Sequence, residues 1–232
     1  MPTLVKPTIS LPDFPFNNWR NLEGLVFYTP LWHEKLNKTP FPSQDFYHHS
    51  CTVVGATWGS QGRTFDGTDD KISIEGSNPL DIVSALTIEA WIKVTDVADY
   101  RMVVGKTVTN DGNDDPYHFR VDITTGLLFG RVGNGTTSLT ITGGTAVGTG
   151  WRHSAFTHTG NGGSMSLYLD GVSDATPVSL TLTPITNAAT LTVGTWAVYW
   201  FKGLIGEVWI YNRALSALEI QHNYLATRWR YV

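Results

Sequence analysis

Short runs of alternating hydrophobic and polar residues recur along the chain, and glycine-rich turns separate them. In the clearest run, residues 86–94, Leu, Ile and Ala alternate with Thr, Glu, Trp and Lys. A period of two predicts a half-buried β-strand, here with one large apolar residue, Trp91, on its second face. Many such strands joined by tight turns indicate an all-β, two-sheet antiparallel sandwich. Further strands are predicted at residues 25–28, 52–54, 71–74, 102–105, 117–123, 127–132, 139–141, 151–157, 164–169, 191–193 and 204–211.

One short helix is predicted near the C-terminus. Ser216 and Glu219 have the spacing of a capping box, in which each side chain bonds to a backbone amide of the other residue. We expect an apolar helix face, followed by a tail that packs back on the sandwich. The helix residues are Leu218, Ile220, Tyr224 and Leu225, and the tail residues are Trp229 and Tyr231.

Residues 1–22 differ from the remainder, which we treat as one domain, residues 23–232. Four prolines in this segment oppose helix and central strand and favour an extended arm. Its aromatic residues are Phe14, Phe16 and Trp19. These rings must pack either on the chain's own domain or on a neighbouring subunit, where the arm would serve assembly into an oligomer or a particle.

Composition narrows the class of function. A chain of 232 residues with 41% hydrophobic residues is globular and fits one large β-domain. The formal net charge is −4 and no Lys/Arg run occurs, which argues against binding to nucleic acid or to a membrane surface. Cys51 is the only cysteine, so an intrachain disulfide is excluded. The first residues contain no apolar core of a signal peptide.

Several segments together resemble a known family. Residues 65–70 (FDGTDD) form a Gly/Asp turn that leads into a strand, residues 151–155 read WRHSA, and residues 203–216 read GLIGEVWIYNRALS. In this order, over residues 24–221, they resemble the laminin-G-like branch of the concanavalin A-like jelly rolls. The resemblance implies a jelly-roll fold that usually binds ligands, and that acts on substrates only when specific carboxylates are present.

The resemblance also raises the question of calcium. The family usually has Gly-Leu-Ile-Asp-Glu-Val in its last strand, where the Asp often helps to hold a structural calcium, but here that position is Gly206. The acidic residues that remain as possible calcium ligands are Asp66, Asp69, Asp70 and Glu207. The alternative is that the aspartates form turn hydrogen bonds without a metal. A second acidic loop, residues 111–115, departs from an EF-hand because Pro116 replaces the required glycine.

Catalysis is not expected. Jelly-roll glycosidases related to this family carry closely spaced acids on one strand, and retaining hydrolysis needs two carboxyl groups about 5 Å apart. No Glu-x-Asp-x-Glu or Glu-x-Asp-x-x-Glu occurs here, and Glu89 and Glu207 are each isolated in apolar strands. The chain is therefore predicted not to be an enzyme.

Aromatic residues before the last strand are the best indication of a ligand site. Trp196, Tyr199 and Trp200 fall in one turn, where this family presents loops at the rim of its concave face. Rings of this kind stack on the C–H faces of sugars, and they are also common at protein interfaces. The alternative is that the tryptophans pack on the core or on the arm. Further loop residues expected nearby are Tyr117, Asp111 and Asn113.

These observations favour a non-catalytic interaction or structural protein. We expect a phage virion surface, decoration or fibre-associated protein that also contacts glycans, since a Met1 start without an export signal suits a particle released by lysis. The alternative is a carbohydrate-binding, lectin-like module of a secreted or cell-surface protein. Either protein would work at a virion surface or outside the cell, without membrane insertion.

Overall fold

The computed structural model describes residues 22–75, 78–107 and 112–231. Over these residues the all-β prediction is confirmed, with one short α-helix near the C-terminus. The predicted arm, with Phe14, Phe16 and Trp19, lies outside the described residues except for Leu22.

The strands are β1 (Leu25–Pro30), β2 (Phe41–Pro42), β3 (Ser50–Val54), β4 (Thr57–Gly59), β5 (Gly62–Asp66), β6 (Lys71–Ile74), β7 (Leu86–Val94), β8 (Arg101–Lys106), β9 (Tyr117–Val121), β10 (Leu127–Gly133), β11 (Ser138–Ala146), β12 (Trp151–His158), β13 (Gly163–Leu169), β14 (Val172–Ser173), β15 (Val178–Leu180), β16 (Leu191–Val193), β17 (Thr195–Trp196), β18 (Tyr199–Trp200) and β19 (Lys202–Tyr211). The helix α1 spans Ala217–Thr227, and short 3-10 helices span Glu34–Leu36, Asn78–Leu80 and Arg228–Arg230.

Two antiparallel sheets form the sandwich. The first, sheet A, has the strand order β14-β13-β12-β7-β19-β5-β4, with β1 also paired to β19 and β15 to β13. The second, sheet B, has the order β11-β10-β9-β8-β16-β6-β3-β2. Neighbours in each sheet come from distant parts of the chain, as in β7 beside β19, which is typical of a jelly roll. The small hairpin β17–β18 pairs only with itself in the described chain and packs against β8.

The main core lies between the two sheets. Alternate side chains of the longer strands enter it, for example Ile88 and Ile92 from β7 and Phe119 from β9. Phe119 stacks on Phe156 of the facing sheet, with ring centroids 6.2 Å apart. Burial of these apolar side chains away from water is the main force that holds the sheets together.

A second apolar cluster covers the outer face of sheet A. Trp91 and Trp209 point out of this face and lie under α1 and the chain's last residues, beside Ile220 and Tyr231. Strand β7 is therefore buried on both faces except at Lys93, and the expectation of a half-buried strand is wrong. The reason is that the C-terminal segment covers the face that a plain sandwich leaves open to water.

The predicted helix start is confirmed. The Ser216 hydroxyl accepts a hydrogen bond from the Glu219 backbone amide, and the Glu219 side chain accepts one from the Ser216 amide. Arg213 also donates to this carboxylate at 2.7 Å, and this bond lowers the pKa of Glu219 to about 2. The pair therefore joins the end of β19 to the first turn of α1.

Three of the apolar side chains expected to pack do not. Leu218 is 77% exposed, Leu225 is largely exposed and Trp229 is 65% exposed, whereas Ile220 and Tyr231 are buried. The buried face of α1 combines Ile220 with Asn223 and Thr227, because the sheet beneath offers the Glu89 carboxylate and the Trp91 indole as hydrogen-bond partners. The helix thus leaves apolar side chains on its solvent side.

Candidate functional site

The β17–β18 hairpin lies over the outer face of sheet B. Trp196 is only 4% exposed, and its ring packs on His118 at 4.9 Å and on Tyr199 at 5.3 Å between centroids. For Trp196 the structure therefore shows packing, which was the alternative to ligand contact. The hairpin turn carries Ala197 at φ 55°, a left-handed backbone conformation that is uncommon outside glycine.

Beneath the hairpin, a buried arginine fixes the aromatic rings. The Arg120 guanidinium lies 4.2 Å from the Tyr100 ring centroid and 3.9 Å from that of Phe129. It donates to Asp122 at 3.1 Å, but burial dominates and lowers the pKa of Arg120. Such cation–π contacts, away from water, are stronger than at an exposed surface.

A buried histidine completes this layer. His118 Nδ1 lies 3.2 Å from the Asp115 carboxylate, and both side chains are fully buried. Burial, followed by the neighbouring Arg120 and Arg131, holds the pKa of His118 well below its usual value. A neutral imidazole in hydrogen-bond contact with Asp115 is the consistent state at neutral pH. Asp115 is thus enclosed, and does not belong to a solvated acidic loop.

Above this layer Val198 is exposed, and the rings of Tyr100, Tyr199 and Trp200 are partly exposed; we call these four residues the hairpin surface. Tyr100 and Tyr199 meet edge to face, with centroids 4.9 Å apart and an interplanar angle of 89°. The Trp200 carbonyl accepts a hydrogen bond from Arg101 at 3.2 Å, which anchors the hairpin to β8. The arrangement holds three partly exposed aromatic rings in fixed positions at one surface.

Of the other residues expected near this surface, Tyr117 is placed differently, whereas the role of Asn113 stays a prediction. Tyr117 is fully buried in the main core, where its hydroxyl donates to the Leu80 carbonyl at 2.9 Å, so it is out of reach of an external ligand. It was misplaced because it is the first residue of β9, whose side chains are buried on both faces. Asn113 is half-buried, and its carbonyl accepts from the Gly135 amide at 2.8 Å. Asp111 lies outside the described residues.

The acidic turn between β5 and β6 brings three aspartates together. Carboxylate oxygens of Asp66, Asp69 and Asp70 lie within 4.8 Å of one another. Two of these groups accept backbone hydrogen bonds, from the Thr68 amide to Asp66 at 2.7 Å and from the Asp66 amide to Asp70 at 2.8 Å. Burial raises the pKa of Asp70, which opposes its charged form. The turn hydrogen bonds expected without a metal are present, and calcium here stays a prediction.

Glu207 does not join that turn. Its carboxylate is fully buried on the outer face of sheet A, where it accepts from the hydroxyls of Tyr28 and Tyr231 at 3.1 Å each and from Arg230. At the preceding position, a Cβ on Gly206 would lie 2.5 Å from the Tyr231 ring. Glu207 is thus wrong as a calcium ligand, and Gly206 stands where the Tyr231 ring needs space.

The two strand glutamates lie on the same face of sheet A. Glu207 pairs with Trp91 and Glu89 with Trp209 across β19 and β7, so the carboxylates are diagonal neighbours. Both are fully buried, and Glu89 accepts from the Asn223 amide of α1 at 2.8 Å. The two glutamates were predicted to be isolated from each other, but in the folded protein they are neighbours, so this prediction is wrong. The helix and the tail nevertheless close over them, so a substrate has no access to either carboxylate in this structure.

Sequence reasoning missed a groove elsewhere on the molecule. It has a volume of about 440 Å³ and lies between the loop that carries Tyr47, the turn before β7 with Asp81, and Asn212 after β19. The signal in the sequence was the adjacent pair Phe46-Tyr47 within a loop rich in proline and histidine. Its other walls come from segments far apart in the chain.

Comparisons with known proteins agree with this fold. Residues 66–221 match the family described as the concanavalin A-like lectin/glucanases superfamily. No curated protein sequence matches the chain. Within the described residues, no helix is both long and apolar enough to cross a membrane.

Similar solved structures include binding domains of bacterial toxins. The receptor binding domain of botulinum neurotoxin D has a TM-score of 0.66 at 15% identity, over 88% of this chain and 53% of that one. The binding domain of Paraclostridial Mosquitocidal Protein 1 has 0.63 at 16% identity, over 88% and 52%. The botulinum neurotoxin serotype D ligand binding domain in complex with N-acetylneuraminic acid has 0.65 at 15% identity, over 89% and 52%. This chain spans about half the length of each, and the likeness is one of fold.

Proposed function

Because the chain belongs to the concanavalin A-like lectin/glucanase superfamily, we propose that it is a non-catalytic glycan-binding module. The observation that carries the proposal is the hairpin surface, where the partly exposed rings of Tyr100, Tyr199 and Trp200 lie over a rigid buried layer. A fixed platform loses little conformational freedom when a ligand binds. Partly exposed rings held on such a platform are suited to stacking against sugar C–H groups.

The buried carboxylates support binding without hydrolysis. Glycoside hydrolysis needs two carboxyl groups on either side of the scissile bond, one of them able to give up a proton to the leaving group. Glu89 and Glu207 are committed to Asn223, Tyr28, Tyr231 and Arg230 under the C-terminal segment. The chain would therefore hold a glycan without cleaving it.

The similar toxin structures support a binding function in general, without indicating a site on this chain. One of these similar structures is a complex with N-acetylneuraminic acid, and another is a receptor binding domain. A module of this fold that recognises glycans would work outside the cell or on the surface of a particle, where glycans are displayed.

Truncation of the hairpin rings tests the proposal. A glycan array probed with the full chain is expected to identify at least one bound glycan, and Tyr199→Ala and Trp200→Ala should each weaken that binding about tenfold, as for ligand hot spots. Trp229→Ala, which removes an exposed tryptophan from the tail, is the matched control and should bind like wild type. Equal binding by all three variants would show that the hairpin surface is not the site.

A second candidate is an assembly protein, such as a phage virion surface, decoration or fibre-associated subunit. The observation that favours it is the apolar stripe on the solvent side of α1 and the tail, formed by Leu218, Leu225 and Trp229. Leu218 and Leu225 are seven residues apart and share one face of α1, and Trp229 follows in the adjacent 3-10 helix. Exposed apolar surface of this kind marks interaction sites. Residues 1–22, as an assembly arm, belong to the same proposal.

Assembly can be measured without a ligand. If the stripe is an interface, light scattering on the full chain should give an oligomer, and Leu218→Gln combined with Leu225→Gln should convert it to a monomer. Deletion of residues 1–20 should abolish incorporation into a particle while the sandwich stays folded. A monomeric wild-type chain, or normal incorporation after the deletion, would count against the assembly reading.

A further inference from the structure

We propose that the groove beside Tyr47 is a second, separate sugar subsite, and that its ligand is a neutral hexopyranose. Its volume of about 440 Å³ falls in the range of small-molecule sites. Its lining includes one aromatic residue, Tyr47, on the side we call the aromatic wall, and three polar residues, Asp81, Ser84 and Asn212, which we call the polar wall. Apolar side chains, among them Ile82, line the space between these walls.

The aromatic wall is held in place by buried hydrogen bonds. The buried Asp45 carboxylate accepts from the backbone amides of Tyr28 at 3.0 Å and Tyr47 at 2.8 Å. The Tyr47 ring stacks on His49, with centroids 5.6 Å apart and planes 28° apart, and the His49 ring lies 3.0 Å from the Val26 carbonyl. A loop tied down at three points presents its ring in one orientation, which reduces the entropy lost on binding.

This held loop nevertheless exposes its rings to water. Tyr47 is 45% exposed and Phe46 is 75% exposed, although the two rings are in edge contact at 5.7 Å. Exposure of two adjacent aromatic side chains on a rigid loop has no benefit for the core. A sugar that stacks on the Tyr47 ring would cover this apolar surface.

The polar wall is equally fixed. Asp81 forms an ion pair with Lys106, whose side chain is fully buried and also donates to the Asn187 carbonyl at 2.6 Å. One lysine does not use all the acceptor positions of a carboxylate, which has about four lone pairs. Asp81 is thus oriented by Lys106 and can still accept hydrogen bonds from ligand hydroxyls.

Buried contacts also set the position of the groove's remaining walls. The Tyr117 hydroxyl, which is out of reach of ligands, donates to the Leu80 carbonyl and so holds the turn that precedes Asp81. On the other side, the Asn212 backbone N–H donates to the Gly24 carbonyl at 2.8 Å. The groove is therefore formed before a ligand arrives.

The charges of the residues around the groove indicate which class of ligand it can bind. No Lys, Arg or His is found among the described residues that line the groove, so an anionic ligand would find no counter-charge there. Lys106 already compensates the one carboxylate, which removes the attraction for a cation. A neutral ring with hydroxyl donors on its edge and C–H groups on its face fits both walls. This inference is independent of the hairpin surface, because different segments build the two sites and different variants test them.

The test is an amide-shift titration of the full chain with four probes: the methyl glycosides of glucose, galactose, mannose and N-acetylglucosamine. At least one probe should shift the backbone amides of Tyr47, Ser84 and Asn212, with a dissociation constant on the order of 1 mM. Tyr47→Ala and Asn212→Ala should each weaken this binding about tenfold, whereas Tyr47→Phe, which keeps the ring, should stay within about threefold of wild type. Tyr199→Ala should leave it unchanged.

Several results would overturn the inference. One is the absence of shifts at the groove amides with all four probes, and another is wild-type binding by Tyr47→Ala and Asn212→Ala. A short uncharged peptide that shifts these amides more strongly than every sugar would assign the groove to a peptide instead. Shifts confined to Tyr199 and Trp200 would support the hairpin surface while rejecting this subsite. Asn212 is exposed, so its variant stays informative if Tyr47→Ala fails to fold.

Discussion

Replacement of Gly206 by aspartate, which restores the residue usual in this family, is expected to destabilise the protein severely. A Cβ at this position lies 2.5 Å from the Tyr231 ring, which itself stacks on Trp91 with centroids 4.5 Å apart. The ring would have to leave, which exposes Trp91 and removes the Tyr231 hydroxyl from the Glu207 carboxylate. Overpacking combined with damage to a buried charge network should lower the free energy of unfolding by about 3–5 kcal/mol.

Urea unfolding followed by circular dichroism measures this loss. The matched control is Gly150→Asp, because a Cβ at Gly150 meets no atom within 4 Å and its backbone is not left-handed. The control should stay within about 0.5 kcal/mol of wild type. If Gly206→Asp is as stable as its control, or if added calcium stabilises it above wild type, then the Tyr231 ring does not need the space at Gly206.

Arg230→Met is expected to cost a similar amount for a different reason. The Arg230 guanidinium donates to the fully buried Glu207 carboxylate and lies 3.7 Å from the Trp32 ring centroid. Methionine keeps part of the packing but removes the counter-charge, so two tyrosine hydroxyls remain as the observed donors to a buried anion. Loss of one partner from a buried ion pair typically costs about 3–5 kcal/mol.

A double-mutant cycle separates the charge effect from the packing effect. Because a buried ion pair can be replaced by neutral groups at little cost, Glu207→Gln combined with Arg230→Met should recover most of the stability lost by Arg230→Met alone. Arg228→Met, on the exposed side of the same 3-10 helix, serves as the control and should change little. A double variant as unstable as the single one would show that Arg230 acts through its packing on Trp32 alone.

Much of the fold followed from local patterns in the sequence. The period of two in residues 204–211 predicts β19, and Ser216 with Glu219 predicts the start of α1, because both signals depend on neighbouring residues. Such local patterns could not predict the burial of Trp91 on the second face of β7. It depends on Tyr231, which lies 140 residues later in the chain and packs back on Trp91.

The site was less predictable for the same reason. Trp196, Tyr199 and Trp200 look alike in sequence, yet Trp196 packs over Arg120 and His118 while the other two reach the surface. Which ring points inward is decided by a turn with a positive φ at Ala197, a residue with no marked preference for that conformation. The groove at Tyr47 combines three segments that no local pattern connects.

Long-range packing also explains why Glu89 and Glu207 do not lie where the sequence predicted them. Glu207 was expected beside the aspartate turn, and Glu89 alone in its strand. The register of β19 against β7 instead brings the two carboxylates to one face, and α1 then closes over them. Neither the register nor the closure is encoded within a few residues of either glutamate.

We propose that this jelly roll binds a glycan at the hairpin surface without cleaving it. One nuclear magnetic resonance titration of the full chain with the strongest glycan from the array reports both parts, since protein shifts locate the ligand and the glycan's own signals report its integrity. We predict shifts concentrated at Tyr100, Tyr199 and Trp200, with an unchanged glycan spectrum throughout the incubation. Cleavage of the glycan, or shifts concentrated at Glu89 and Glu207 beneath α1, would contradict the account.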